Sequence, residues 1–149
     1  MKVSTRVELG IVTLADIAVS TENGGTVSSA EIAVRQRVSQ KYLEQIILGL
    51  RQGGFVKGLK GSRGGYQLSR PADKIYLSEI LNALDNTILS DTFEGDEAQG
   101  DDIRASVNTS LWDKLNGYMR SFTQQLTLAD LIKEYKERCA DPSDMMCFI

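Results

Sequence analysis

The segment 38–67 reads VSQKYLEQIILGLRQGGFVKGLKGSRGGYQ, an amphipathic helix that runs directly into a basic, glycine-punctuated hairpin. In its first part Leu43, Ile46, Ile47 and Leu50 recur at helical spacing and form one apolar stripe, while Gln40, Lys41, Glu44, Gln45 and Arg51 fall on other faces. Ser39 stands where a helix N-cap is expected, and Gly53-Gly54 stops the helix. Phe55-Val56-Lys57-Gly58 and Tyr66-Gln67-Leu68 read as two short strands joined through 59–65. Gly61, Gly64 and Gly65 in that joint permit positive backbone torsions, and Lys60 and Arg63 put charge at its tip. A helix with polar side chains at its start, followed by a positive loop, is what a winged helix-turn-helix needs to grip duplex DNA.

Upstream, Ser4 or Thr5 can cap a first helix whose apolar positions are Val7, Ile11, Leu14, Ile17 and Ala18, ending near the turn Glu22-Asn23-Gly24-Gly25. Ser28 with Glu31 three residues on is a capping box, so a short second helix runs to about Gln36, with a turn at Arg37-Val38. Downstream, Pro71 closes the hairpin unit and a fourth helix is expected over 77–86, its apolar side given by Leu77, Ile80, Leu81 and Leu84. Residues 90–102 are acidic and aperiodic and read as a mobile loop. Val107, Leu111, Leu115, Tyr118, Met119, Phe122 and Leu126 then repeat at steps of three and four, predicting a long helix with a continuous apolar seam. In so small a chain that seam needs a partner, and each such side chain buried is worth about 1.5–3 kcal/mol. A second copy of the same helix, meeting it at Leu111, Leu115, Tyr118, Met119 and Phe122 in a twofold dimer, is the expected mate, the alternative being cover of the chain's own first helix. Thr127 caps a last helix through Leu128, Leu131, Ile132 and Tyr135.

The expected fold class is therefore mainly α with a small β wing: a winged helix-turn-helix with a long C-terminal dimerisation helix. Residues 1–74 are expected to form the DNA-binding domain, 75–138 the linker helix, acidic loop and dimerisation helices, and 139–149 a tail. At 149 residues and 42% hydrophobic content the chain has enough apolar material for a packed core. The net charge of −3 divides unevenly: residues 1–74 hold 11 Lys and Arg against 6 Asp and Glu, and residues 75–149 hold 6 against 14. The positive half suits phosphates, and the acidic half suits solvent or another protein. Arg6, Glu8 and Asp16 interrupt the opening segment, which excludes a signal peptide or membrane span there and points to the cytoplasm. With no histidine, no phosphate-binding glycine loop between strand and helix, and no metal-ligand spacing, catalysis is not expected.

The opening MKVSTR, the block VSQKYLEQII, the wing KGSRGGYQLSRP, and the segments ILNALD, LWDKL and LTLADLI together resemble the Rrf2 family of bacterial transcription regulators across nearly the whole chain. That resemblance implies a homodimer, each subunit placing its third helix in a major groove and its wing in a neighbouring minor groove of a palindromic operator, with a lean to repression. Side-chain chemistry then distributes the roles. Ser39, Lys41 and Tyr42 suit anchoring to phosphates or base edges; Glu44, which can accept from a cytosine amino group, and Gln45, which can pair with adenine, suit sequence readout. Lys60 and Arg63 are expected at the minor groove or its phosphates, and Arg51, Ser62, Gly64 and Tyr66 complete the set. Ser28 is expected to be a cap that also lies near phosphate.

Iron–sulfur members of the family carry three cysteines between the fourth and the long helix. Here Phe93, Gln99 and Ser106 occupy that neighbourhood. Glu8 stands where some relatives draw a carboxylate ligand, but a carboxylate without thiolates does not hold such a cluster, so it is read as a surface or interface residue and no cofactor or metal is expected. The one remaining route to a cluster is Cys139 and Cys147 contributed twice across a dimer. The tail ends in Met145-Met146-Cys147-Phe148-Ile149, an apolar tip similar to that of the cluster-free cysteine-metabolism repressors of the family (the CymR type). By that resemblance Phe148 and Ile149 would bind cysteine synthase, in the site that takes the carboxylate of its amino-acid substrate, with packing of the tip on the dimer's own helices as the alternative. A rival function is a redox sensor in which Cys139 or Cys147 forms a disulfide or mixed disulfide that loosens DNA binding.

Overall fold

The computed structural model describes residues 3–90, 103–141 and 143. The acidic loop, with Phe93 and Gln99, and the tip of the tail, with Cys147, Phe148 and Ile149, lie outside these residues.

The local capping chemistry sets the helix starts. Ser4 accepts a hydrogen bond from the Val7 amide and opens α1, Thr5–Ser20. At Ser28 the capping box is complete: its Oγ accepts from the Glu31 amide at 3.2 Å while its own N–H donates to Glu31 Oε2 at 2.8 Å, opening α2, Ser29–Gln36. Arg37 ends α2 in the left-handed conformation at φ 55°, which makes the sharp turn into α3, Gln40–Gln52, capped by Ser39. Strands β1, Val56–Leu59, and β2, Gly65–Leu68, pair antiparallel with Val56 opposite Leu68 and Leu59 opposite Gly65. A 3-10 turn, Ala72–Lys74, leads to α4, Leu77–Leu84. Helix α4 ends before the expected Asn86 because Asp85 Oδ1 accepts from both the amide and the hydroxyl of Thr87, a local turn that competes with further helix.

The long helix begins earlier than its apolar seam suggested. Helix α5, Ile103–Val107, continues through a π turn, Asn108–Trp112, into α6, Asp113–Gln125, with helical backbone at both junctions. The wide turn carries Leu111 between Val107 and Leu115, where the apolar spacing is four and four. Helix α7, Leu128–Ala140, opens on a second complete capping box between Thr127 and Asp130.

One core holds these elements together. Val7, Leu14 and Ile17 of α1 are fully buried, with Leu43, Ile46, Ile47 and Leu50 of α3, Ile80 and Leu84 of α4, and Leu128 and Ile132 of α7 in the same cluster. Gly10 is what lets α4 approach α1, since a Cβ there would collide with the side chain of Leu84. Two backbone ties close the lower half: the Leu77 amide donates to Leu126 O, and the Leu128 amide to Ile75 O, both at 2.8 Å. No helix among the described residues is long and apolar enough to cross a membrane.

The first two helices are also locked by charge. The Asp16 carboxylate, its side chain 6% exposed, accepts from Arg35 Nη2 at 2.6 Å, Arg35 Nε at 3.1 Å, Gln36 Nε2 at 2.7 Å and Ser20 Oγ at 3.0 Å. Burial alone raises the Asp16 pKa, but the hydrogen bonds from Arg35, then Gln36, outweigh it and hold the group below its ordinary 3.8. A carboxyl with a depressed folded pKa contributes stability above the ordinary value and loses it as pH falls through the folded one. Asp16→Asn is therefore expected to lower the urea midpoint by a constant amount from about pH 5 to 7, with the gap to wild type closing below roughly pH 4. A gap that stays constant down to pH 3 would show that the ionised form contributes nothing.

Candidate nucleic-acid interface

The face of α3 opposite its buried stripe is polar and open. Lys41, Glu44, Gln45, Leu48 and Arg51 are exposed there, while Leu43, Ile46, Ile47 and Leu50 are at most 1% exposed on the inner side. The stripe thus fixes the rotation of α3 and decides which side chains meet a partner. Tyr42 is half-buried and packs against the core. Ser39 Oγ accepts from the Tyr42 amide at 3.2 Å; the hydroxyl proton is left to donate. Ser28 is more fully committed, because its Oγ also donates to Glu31 Oε2 at 2.8 Å. Gln45 and Lys41 extend from the first two turns of α3, near the positive end of its dipole.

The wing stands beside α3. Lys57, Lys60, Ser62 and Arg63 are exposed on it, and the bend is tight enough that a Cβ on Gly64 would sit 2.6 Å from Leu59 O and 2.9 Å from Gly61 O. That close approach requires glycine at position 64. The base of the wing has an anchor that the sequence pattern does not display: the Val27 amide donates to Tyr66 O at 3.0 Å, and the Tyr66 amide to Val27 O at 2.8 Å. Thr26 Oγ1 adds a bond to Arg63 O at 2.9 Å. The segment leading into α2 thus forms a single antiparallel bridge to the outer side of β2 through the backbone of Tyr66, while the half-buried ring of Tyr66 packs on the core. Behind the wing, Arg70 stacks over the Phe55 ring at 5.4 Å and its Nη2 donates to Glu79 at 3.2 Å, which ties the hairpin to α4.

Two basic side chains lie across these elements. A Cβ on Gly58 would meet the Arg51 guanidinium carbon at 3.9 Å, so Arg51 reaches from the end of α3 over β1. A Cβ on Gly49 would meet Arg6 Nη2 at 3.0 Å, so α1 supplies a guanidinium to the middle of α3. Arg6 was absent from the expected set because nothing near it in the sequence marks it as part of this face. Ser39, Lys41, Gln45 and Arg51 on α3 and Lys60, Ser62 and Arg63 on the wing are all exposed.

Exposed apolar side chains gather on the π turn and α6. Leu111 and Leu115 are each 44% exposed, Tyr118 is 73% and Phe122 62% exposed, Met119 is half-buried, and Thr123 is the one buried residue of α6. Cys139 is a half-buried free thiol on α7. Among the described residues no group of three or more His, Cys, Asp or Glu could hold a metal ion.

A family model described as "Rrf2: Iron-dependent Transcriptional regulator" matches residues 3–134. Both cysteines lie beyond that span and the chain has no histidine, so the donor set within it does not fit an iron–sulfur cluster. The HTH-type transcriptional regulator IscR of Cereibacter sphaeroides is 37% identical over 148 residues, covering 93% of this chain and 92% of that one. Among solved structures, CymR, the global cysteine regulator of B. subtilis, superposes with a TM-score of 0.74 at 28% identity, covering 90% of this chain and 98% of that one. IscR of T. potens superposes with a TM-score of 0.73 at 34% identity, covering 92% and 90%. With the winged helix-turn-helix already traced residue by residue, these likenesses establish that the chain belongs to the Rrf2 family of transcriptional regulators.

Proposed function

We propose that this chain works as a homodimeric repressor that binds a palindromic operator and holds no iron–sulfur cluster. The observation that carries the reading is the outward face of α3, polar and adjacent to a wing whose exposed side chains include Lys57, Lys60 and Arg63. In this reading residues 1–74 form the reading head and 75–138 the pairing arm. Helix α3 enters the major groove, where Glu44 and Gln45 read base edges and Ser39, Lys41, Tyr42 and Arg51 fix the register on phosphates. Lys60, Ser62 and Arg63 follow the minor groove, and Gly64 and Tyr66 hold the hairpin in shape for them. The seam along the π turn and α6 supports the dimer, because four large apolar side chains, Leu111, Leu115, Tyr118 and Phe122, are 44–73% exposed among the described residues.

Glu44→Ala is expected to relax sequence preference while leaving overall affinity nearly unchanged, whereas Arg63→Ala weakens binding to every duplex and reduces the slope of log affinity against log salt by about one. Titrations of operator and random duplex at several salt concentrations separate the two, and the opposite pattern would reverse the division between readout and anchoring. Phe122→Glu is expected to yield a monomer by light scattering and to abolish preference for a two-half-site operator; a dimeric variant would remove α6 from the interface.

A finer reading concerns the regulon. The likeness to a global cysteine regulator and the apolar sequence Met145–Ile149 support control of cysteine or sulfur metabolism, with cysteine synthase engaging Phe148 and Ile149. Removing these two residues is expected to leave operator binding intact and to abolish capture of purified cysteine synthase. Continued capture by the shortened chain would refute the docking role.

A further inference from the structure

Glu44 is not a free side chain on the reading face. Ser29, the first residue of α2 and only 8% exposed, donates from its Oγ to Glu44 Oε1 at 3.2 Å. Gln40 Nε2, one turn before Glu44, donates to the same oxygen at 3.1 Å and to Ser29 Oγ at 3.3 Å. The three side chains close a ring across the α2–α3 turn. Ser29 uses its one hydroxyl proton and Gln40 both amide protons inside the ring. Both lone pairs of Glu44 Oε1 are occupied, while Oε2 takes no hydrogen bond from the described residues.

This arrangement has a chemical consequence at a groove floor. An unrestrained glutamate beside DNA is pushed away by phosphates and samples many rotamers, so it discriminates poorly. A glutamate held by two donors from its own protein keeps one orientation, and the ring has no proton left to offer a base. What remains for a base edge is acceptor only: Glu44 Oε2 and Gln40 Oε1.

We propose that Ser29 and Gln40 are positioning residues that hold Glu44 as an acceptor-only reader, selecting base edges that present an amino group, cytosine N4 or adenine N6, and rejecting the guanine O6 and thymine O4 edges. The proposal rests on the DNA-binding reading above and goes further by naming what sets the specificity of Glu44. It also gives α2 a share in base recognition, although Ser29 itself contacts no base.

The test is selection of bound sequences from a random duplex pool by wild type, Ser29→Ala, Ser29→Thr, Glu44→Ala and the Ser29→Ala/Glu44→Ala pair, with affinities for the selected operator and for random duplex. Ser29→Ala is expected to flatten preference by about three- to tenfold at the same operator position as Glu44→Ala, with unchanged affinity for random duplex. Ser29→Thr retains the hydroxyl and the preference, and the double variant is no less selective than Glu44→Ala alone. A Ser29→Ala protein that enriches the wild-type operator as strongly as wild type overturns the positioning role while the DNA-binding reading stands. So does one that loses affinity for all duplexes alike, since that marks plain damage to the fold. A wild-type protein that enriches no sequence would overturn the DNA-binding reading itself, and the positioning role with it.

Discussion

Burial of the inner face of α1 is the constraint on which the remaining structure rests. Val7, Leu14 and Ile17 reach zero exposure because α3, α4 and α7 all pack into one core with this helix. At about 1.5–3 kcal/mol for each such side chain, that burial is comparable to the net stability of a whole domain, so helices seated on α1 are not independently adjustable. The orientation of α3 follows: its four buried aliphatics take the core side, and Lys41, Glu44, Gln45 and Arg51 face outward. Gly10 sets how closely α4 can sit on the same beam.

The parts of this fold written in local chemistry were legible in the sequence. Ser4, Ser28 with Glu31, Ser39 and Thr127 each cap the helix their spacing announced, because an N-cap needs only its own residue and the next three. The stripe of α3 and both wing strands fell where periodicity and glycine placed them. What was not legible depends on residues far apart in the chain. The pairing of Val27 with Tyr66, the four-bond enclosure of Asp16, the reach of Arg6 to Gly49 and the ring around Glu44 have no signature within any short window. The π turn was missed for another reason: steps of four fit an α-helix or a wider turn equally well over so short a stretch.

The distribution of charge also shows how a net acidic chain of pI near 5.0 carries a basic wing. The surplus of Lys and Arg falls in residues 1–74, and several acids there are held by neighbours: Asp16 by Arg35, Glu31 by Ser28, and Glu44 by Ser29 and Gln40. Asp16 is neutralised by its ion pair with Arg35, whereas Glu31 and Glu44 accept from neutral donors and keep their charge; the exposed cations Lys60 and Arg63 at the wing tip carry the basic character.

The two backbone ties join the segment that enters α4 to the segment that enters α7, through Leu77 N–H to Leu126 O and Leu128 N–H to Ile75 O. Helix α6 is held at its end by this clasp and along its length by α4, with Arg120 Nη2 donating to Leu89 O at 3.1 Å. A displacement of α6 is therefore felt at the starts of both α4 and α7, which share their core with α3.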